Sequence, residues 1–314
     1  MSVLSQPYFH DEAAAFAHVE KILWPAGPVC PHCGNMEKHY DLTKTRIGLR
    51  KCASCRKQFT VRVGTIFESS HVELHKWLQA LHLMCASKKG ISAHQLHRVL
   101  EVTYKTAWFM AHRIREAMRS GDLAPMGGNG MVVEADETYF GKTEEQPTVR
   151  TSGEPFKGKG KGPAGKRAVV GLVERGGNVR TFHVDKATKV QVGQIVAENV
   201  NKETVLNTDE SRLYNEVGTT FARHDRVRHT AGEYVRGEAY TNTIEGVFSI
   251  FKRGMKGVYQ HCSEKHLHRY LAEFDFRYNN RVKLGIGDEA RSGHALVGAK
   301  GKRLTYRRSC EAQA

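Results

Sequence analysis

The chain has 314 residues, 40% hydrophobic and 26% charged, which suits a globular protein of two or three domains at ~150 residues each. The charge is lopsided: 48 Lys and Arg against 33 Asp and Glu leave +15, with 17 His besides. Polyanions are the natural partners of such a surface, nucleic acid first and an acidic membrane surface second. No stretch approaches the ~20 apolar residues that span a bilayer, and the opening MSVLSQPYFHDEAAAF lacks the basic-then-apolar order of a secretory signal. The expected location is therefore cytoplasmic with no membrane partner, where disulfides are disfavoured and seven cysteines need another use.

Residues 11–24 predict a short amphipathic helix, with Asp11 as N-cap, Phe16, Val19 and Leu23 on one face, and Pro25 as the stop. A cysteine-rich stretch over 28–67 follows. It holds Cys30-Pro31-His32-Cys33 and Cys52-Ala53-Ser54-Cys55, with 18 residues between the pairs. This spacing fits a tetrahedral zinc site, in which two thiolates sit on each of two tight knuckles brought together by a hairpin. Gly34 suits the first knuckle, and Tyr40, Phe59 and Phe67 are candidates to pack the hairpin. Four thiolates fill the zinc shell, so the expected role is structural; buried free thiols and a redox site are the weaker readings. Cys85, Cys262 and Cys310 are isolated and read as ordinary thiols.

A helix is predicted over 72–86, then two more over 92–100 and 103–119, capped by Ser92 and Thr103 and separated by a very short turn. Leu96 and Leu100 share a face, as do Ala107, Met110, Ile114 and Met118. The opposite face of the second helix carries Lys105, His112, Arg115 and Arg119. An apolar back and a basic front describe either a helix-turn-helix whose second helix enters a major groove or a plain helical hairpin with a solvated face. Under the first reading, Tyr104, Lys105, Thr106 and Arg113 lie near DNA.

Residues 121–130 form a turn-rich linker, after which the pattern changes to short β-branched runs: MVVEADETYF, AVVGLVER and NVRTFHVD read as strands. The basic, glycine-rich segment 141–167 reads as a mobile loop, either DNA-contacting or plain surface. Residues 189–200 read as a helix, ETVLNTDE as a strand ending in acid, and 243–283 as mostly helical, with Thr243 or Thr241 capping its start. In its later part, Leu267, Leu271, Phe274, Phe276 and Tyr278 are expected to pack on the sheet, with Arg277 and Arg281 outside. His261, His266 and His268 with Cys262 are read as solvated or DNA-facing rather than as a metal cluster. The last ~30 residues are basic and weakly patterned, and there is no internal repeat.

Three acids stand out: Asp136 within a strand, Asp209 at a strand end, and Glu245 at a helix start. A carboxylate among β-branched neighbours in a basic protein is costly unless paired or metal-bound. Two strand carboxylates and one from a later helix can hold two Mg²⁺ ions, which act together at a phosphodiester. Glu134 and Glu137 rival Asp136, and Glu210 neighbours Asp209; solvated strand-end carboxylates are the plainer reading. Alternation puts Glu134, Asp136 and Thr138 on one face, so Glu134 is a neighbour of the site or a salt-bridge partner.

The motifs CPHCG…CASC, GISAHQLHRVLEVTYKTAWFMAHRIR, VEADETYFG, LNTDESRLY, NTIEGVFSIFKRGMKGVYQH and KHLHRYLAEFDFRYNNR run in order from about residue 10 to 283. With them the chain resembles the DDE-type transposases of bacterial insertion sequences, in the group with an N-terminal zinc ribbon and a ribonuclease H-like catalytic domain. The resemblance implies Asp136 and Asp209 as the strand aspartates and Glu245, or its neighbour Asn242, as the third position. It implies Lys252 as a basic residue gripping phosphate near the cut. It also implies structural Zn²⁺, a catalytic pair of Mg²⁺ or Mn²⁺ ions, double-stranded DNA as partner in the form of terminal inverted repeats and target, and a homodimer or higher assembly.

The expected fold class is α/β, a mixed ribonuclease H-like sheet flanked by helices and preceded by the ribbon and the helix-turn-helix region. The expected domains are 1–67, 68–122, 123–285 and a basic tail over 286–314. The rivals are a DNA-binding regulator without chemistry, a metal nuclease of the same fold that does not join strands, and an inactive copy.

Overall fold

A computed structural model describes residues 2–121, 123–143, 165–233 and 235–305. In chain order the elements are α1 (Glu12–Leu23), β1 (His39–Asp41), β2 (Arg50–Cys52), β3 (Gln58–Phe59), α2 (Leu74–Ala86), α3 (Ala93–Leu100) and α4 (Tyr104–Met118). Then come β4 (Val132–Phe140), β5 (Arg167–Glu174), β6 (Val179–Val184), α5 (Lys189–Asn199), β7 (Val205–Thr208), the single turn α6 (Asn215–Gly218), β8 (Arg223–Arg226), β9 (Val235–Arg236) and β10 (Ala239–Tyr240). The chain closes with α7 (Asn242–Gly254), α8 (Leu267–Asn279) and α9 (Asp288–Val297). Two compact units result: residues 1–120 with 280–314, and residues 121–279.

In the first unit, the expected caps are in place. Asp11 Oδ1 accepts from Ala14 N at 2.7 Å, Ser92 Oγ from Gln95 N at 3.1 Å and Thr103 Oγ1 from Thr106 N at 3.2 Å. Each satisfies a backbone N–H that the first helical turn leaves without a partner. The turn between α3 and α4 is made by Glu101, whose φ of +53° caps α3. Helix α2 is capped differently: Glu12, from α1, accepts from Leu74 N (2.8 Å) and His75 N (3.1 Å). The residues expected as a weakly patterned tail contain α9, which packs on α1, α2 and α4 and buries Arg291, Ala295 and Leu296. Its sequence, DEARSGHALV, is too polar to announce a packed helix, yet Arg291 spends its guanidinium on the carbonyls of Cys85 (2.9 Å) and Asn280 (2.7 Å).

The second unit is built on a five-stranded sheet in the order β6-β5-β4-β7-β8, with β4 antiparallel to β5 and parallel to β7. Both faces are covered, which explains why β5 reads as a continuous apolar run. Val169 and Val173 face α7 and α8 with Ile244, Phe248, Phe251, Leu271 and Phe274. Val170 and Leu172 face α5 with Val192, Val196 and Tyr214. This is the ribonuclease H-like mixed sheet expected from the sequence. Arg277, expected outside, is buried: it pairs with Glu273 one turn earlier on α8, and Tyr259 Oη also donates to Glu273, at 2.5 Å. Cys262, expected in exposed surroundings, is buried in the core formed by α7 and α8. Of the basic loop 141–167, residues 144–164 lie outside the described residues, as does Cys310, and Arg167 is already the first residue of β5.

Candidate active site

The acidic site forms where a parallel strand pair ends. The register of β7 on β4 closes at Ala135 opposite Thr208, while β4 continues to Phe140. Beyond that point Asp136 and Glu137 have no β7 neighbour, and Asp209, the next residue after Thr208, turns in beside them. Asp136, Glu137 and Asp209 each present a carboxylate oxygen within 4.8 Å of the others. The sequence set Glu137 against Asp136 as a rival; the structure makes them partners. Alternation pointed the other way, because neighbours on a strand face opposite sides; both reach one point here beside the place where β7 has ended and Asp209 follows it.

The chemistry of this cluster is strained without a cation. Burial, and then the charges of Asp209 and Glu137, push the Asp136 carboxyl up to about 8. Burial raises Glu137, helped by Asp209, and burial also raises Asp209 against the opposing hydrogen bond from Ser211 N. Three half-buried carboxylates this close cannot all be ionised alone. An all-oxygen anionic donor set of this kind suits hard divalent cations such as Mg²⁺ or Mn²⁺.

Helix α7 supplies the rest. Glu245, in its first turn, lines a cavity of about 640 Å³ with Asp136 and Glu137, and Lys252, Arg253 and Lys256 line the same cavity. Glu245 Oε1 accepts from Thr241 Oγ1 at 3.2 Å and lies 3.4 Å from His229 Nε2, a residue the sequence did not single out. Burial lowers the proton affinity of Lys252, and the nearby Asp136 partly restores it. Asn242 is exposed at the first position of α7 and is not among the residues lining that cavity. Close approach of α7 depends on Gly171, which stands opposite Asp136 on β5; a Cβ there would lie 2.7 Å from both Ile244 and Phe248. Glu134 is a salt-bridge partner, of Arg175, and not a cluster member. It also does the capping expected of Thr241 or Thr243, accepting from Thr243 N and Ile244 N, while the Thr241 hydroxyl turns to Glu245.

In the first unit the four expected cysteines converge. Cys30 and Cys55 sulfurs are 3.7 Å apart, as are those of Cys33 and Cys52, and all four lie within 4.8 Å. Sulfurs at about 2.3 Å from a tetrahedral zinc stand about 3.8 Å from each other, so the donors fit that ion. The two knuckles match: Gly34 N donates to Cys30 O and Arg56 N to Cys52 O, with φ of +74° and +62° at the two turning residues. Phe59 packs beside Cys30 and Cys52, as expected, but Tyr40 is exposed and Phe67 packs against Trp77 instead.

On α4, Tyr104 and Lys105 are exposed and Thr106 is half-buried at the amino end, with the Tyr104 ring stacked on His94. Arg113 does not join them. It is 4% exposed, and its guanidinium donates to the carbonyls of Ile66 and Glu68 at 2.8 Å and of Leu304 at 3.3 Å. His112 and Arg115, also expected on the basic front, are buried; Lys105 and Arg119 are the exposed members of that set. The expected face was drawn from one helix alone, whereas α2 and α9 pack on α4 as well.

The fold and site define a ribonuclease H-like protein with a cation-ready carboxylate centre, joined to a cysteine ribbon. Residues 127–279 match the ISXO2-like transposase domain, and residues 10–58 match the transposase zinc-ribbon domain. The chain thus carries the two domains of zinc-ribbon-bearing DDE transposases. It is 29% identical over 277 residues to the uncharacterized protein in transposable element ISH50 of Halobacterium salinarum, covering 86% of this chain and 91% of that one. Weaker likenesses among solved structures include the Mos1 strand transfer complex (11% identity, TM-score 0.27, 73% of this chain and 79% of that one). Another is the simian T-cell lymphotropic virus intasome bound to PP2A regulatory subunit B56 gamma (14% identity, TM-score 0.28, 57% and 67%).

Proposed function

We propose that this transposase binds the terminal inverted repeats of its element, cuts DNA strands there and joins the freed 3′-OH ends to target DNA. The observation that carries this reading is the Asp136–Glu137–Asp209 cluster, two of whose members, Asp136 and Glu137, line one cavity with Glu245 and Lys252. Asp136 and Asp209 would hold two Mg²⁺ or Mn²⁺ ions, with Glu245 as the third ligand position in preference to Asn242. Such an ion pair supplies activation of the attacking oxygen and stabilisation of the leaving one in both the cutting and the joining step. Lys252 grips a phosphate oxygen at the cavity wall, and Arg253 and Lys256 add positive charge along the path of the backbone. Glu137 adds a third negative charge beside Asp136, which strengthens the demand for cations there.

The four cysteines would hold one Zn²⁺ that maintains the ribbon. Tyr104, Lys105 and Thr106 at the amino end of α4 would meet DNA, where the helix terminus and the lysine both favour phosphate. Transposition brings two element ends together, so the working form is a homodimer or larger assembly on DNA. Among the described residues no helix is long and apolar enough to cross a membrane; we place the protein in the cytoplasm, on DNA.

The test is incubation of the full chain with labelled DNA carrying its element ends, with and without Mg²⁺. Metal-dependent cutting followed by joined products is expected. Cutting without joining would identify a nuclease, and binding without cutting a regulator.

A further inference from the structure

Glu134 lies two residues before Asp136 on β4 and is fully buried. Its Oε1 accepts from Arg175 Nε at 2.8 Å and from Thr243 Oγ1 at 2.9 Å, and its Oε2 from Thr243 N at 2.9 Å and Ile244 N at 3.1 Å. Arg175, in the turn after β5, also donates to Glu238 O (2.7 Å) and Tyr240 O (3.0 Å), and its guanidinium lies 3.4 Å from the centre of the Tyr240 ring. Asn207 on β7 donates to the same two carbonyls at 3.2 and 3.4 Å. One part-buried ion pair, with Asn207 beside it, thus ties β4, β7, the β9–β10 hairpin and the first turn of α7.

A helix start can be capped from its own N-cap at far smaller desolvation cost than a buried carboxylate carries. Here the cap comes from the strand that bears Asp136, and the anion–guanidinium geometry leaves little play. The carbonyl of Tyr240, fixed by Arg175, precedes Thr241, whose hydroxyl donates to Glu245 at 3.2 Å. The path from Glu134 to Glu245 therefore runs both through the α7 backbone and through Arg175 and Thr241.

We infer that Glu134 and Arg175 are positioning residues that lock the start of α7, and with it Glu245, to the strand carrying Asp136, so that the carboxylates close on a divalent cation. This rests on the transposase reading of the site. Neither residue touches the cation or DNA; both act through the place they give Glu245.

The test uses the full chain and two readouts: Mn²⁺ binding by electron paramagnetic resonance without DNA, and the metal concentration that half-saturates cutting of end DNA. Glu134→Gln keeps the shape and loses the ion pair, and Arg175→Lys keeps the charge and loses the fork. Each is expected to weaken Mn²⁺ binding and raise the half-saturating concentration about 10-fold, the scale of losing a supporting shell, while the rate at saturating metal largely recovers. Thr243→Val removes one hydroxyl and leaves the ion pair; it is expected to shift both readouts in the same direction by about 2- to 3-fold, with an unchanged melting temperature. A folded Glu134→Gln with wild-type Mn²⁺ binding and half-saturation would overturn the inference. If Glu134→Gln does not fold, unchanged metal readouts in Thr243→Val overturn it. A wild-type protein that binds Mn²⁺ but cuts no end DNA overturns the transposase reading, and the Mn²⁺ shifts still decide the positioning role. A wild-type protein that binds no Mn²⁺ overturns both.

Discussion

The cysteine ribbon and the acidic centre both gather side chains that repel or waste one another without a cation, yet they are assembled in opposite ways. The ribbon is local. Each knuckle is four residues long, its turning residue takes a left-handed φ, and a short antiparallel hairpin with Cys52 opposite His39 brings the pairs together. The acidic centre is drawn from β4, the end of β7 and the start of α7, so its donors stand 73 and 108 positions apart along the chain, from Asp136 to Asp209 and from Glu137 to Glu245. The ribbon has a small core of Phe59, Trp24 and the thiols themselves. The centre rests on a sheet covered on both faces. Cation loss should therefore unfold the one and merely disarm the other.

The largest expected effect tests that difference directly. Structural zinc contributes about 10 kcal/mol or more to folding in small modules. Cys52→Ser should lose the zinc, about one ion per chain by metal analysis, and render residues 28–67 sensitive to protease while residues 121–279 stay protected. A folded wild-type preparation with no zinc would break the comparison at its first term. At the acidic centre, Asp136→Asn and Asp209→Asn should leave the fold and end binding in place and lower metal-dependent cutting by about 10³-fold, the scale of losing charge stabilisation in the transition state. Full activity in either would overturn the metal mechanism.

A smaller effect separates the candidates for the third position. Glu245→Gln should raise the metal requirement and cut the rate by about 10- to 100-fold, and Asn242→Ala should change little. The reverse ranking would move the third ligand to Asn242. Glu137→Gln is expected to fall between them, since its oxygen reaches the cluster but its carboxylate hangs on the α5 side of the sheet, within 3.3 Å of Ser211 Oγ.

Those local and distant origins also decide what could be read from the chain. Asp11, Ser92 and Thr103 cap their own helices three residues on, so spacing alone revealed them. Glu12 and Glu134 cap helices through N–H groups 62 and 109 residues away, which no local pattern encodes. The strands AVVGLV and VVEAD showed their burial, but the edge strand β8, with the sequence RHDR, has no apolar alternation to show. The two aspartates and Glu245 were singled out from the sequence; Glu137 entered only as a rival of Asp136 and His229 not at all, because one needs the end of β7 and the other a turn folded back on Thr241.

Titration offers a gentler probe of the same centre. Asp136 has an ordinary carboxyl value of 3.8 and is pushed up to about 8 by burial and its acidic neighbours. Between those values the folded, metal-free chain keeps a proton that the unfolded chain has shed, so raising pH through this window lowers metal-free stability. A divalent cation must displace that proton, and the same shift in Glu137 and Asp209 adds to the competition. The rise in melting temperature on adding Mg²⁺ should therefore grow from pH 6 to 8 and level off above. A rise that is constant or shrinks with pH would mean that the cation does not bind at these carboxylates.

The smallest contrast lies within α4, between two basic residues eight positions apart. Lys105 is exposed, and if it meets one phosphate its loss should weaken end binding several-fold and reduce the slope of log K against log[salt] by about 0.9, with the melting temperature unchanged. Arg113 has its guanidinium committed to the carbonyls of Ile66, Glu68 and Leu304. Arg113→Ala strands those acceptors in a buried site at about 1–3 kcal/mol for each left unsatisfied, so the first unit should melt at lower temperature. Because neither the charge nor the donors of Arg113 face solvent, the salt slope should be that of the wild type once binding is measured well below the melting point. A lowered slope in Arg113→Ala with unchanged melting would return Arg113 to the DNA-facing set and would mean that its three backbone acceptors do not hold it when DNA is bound.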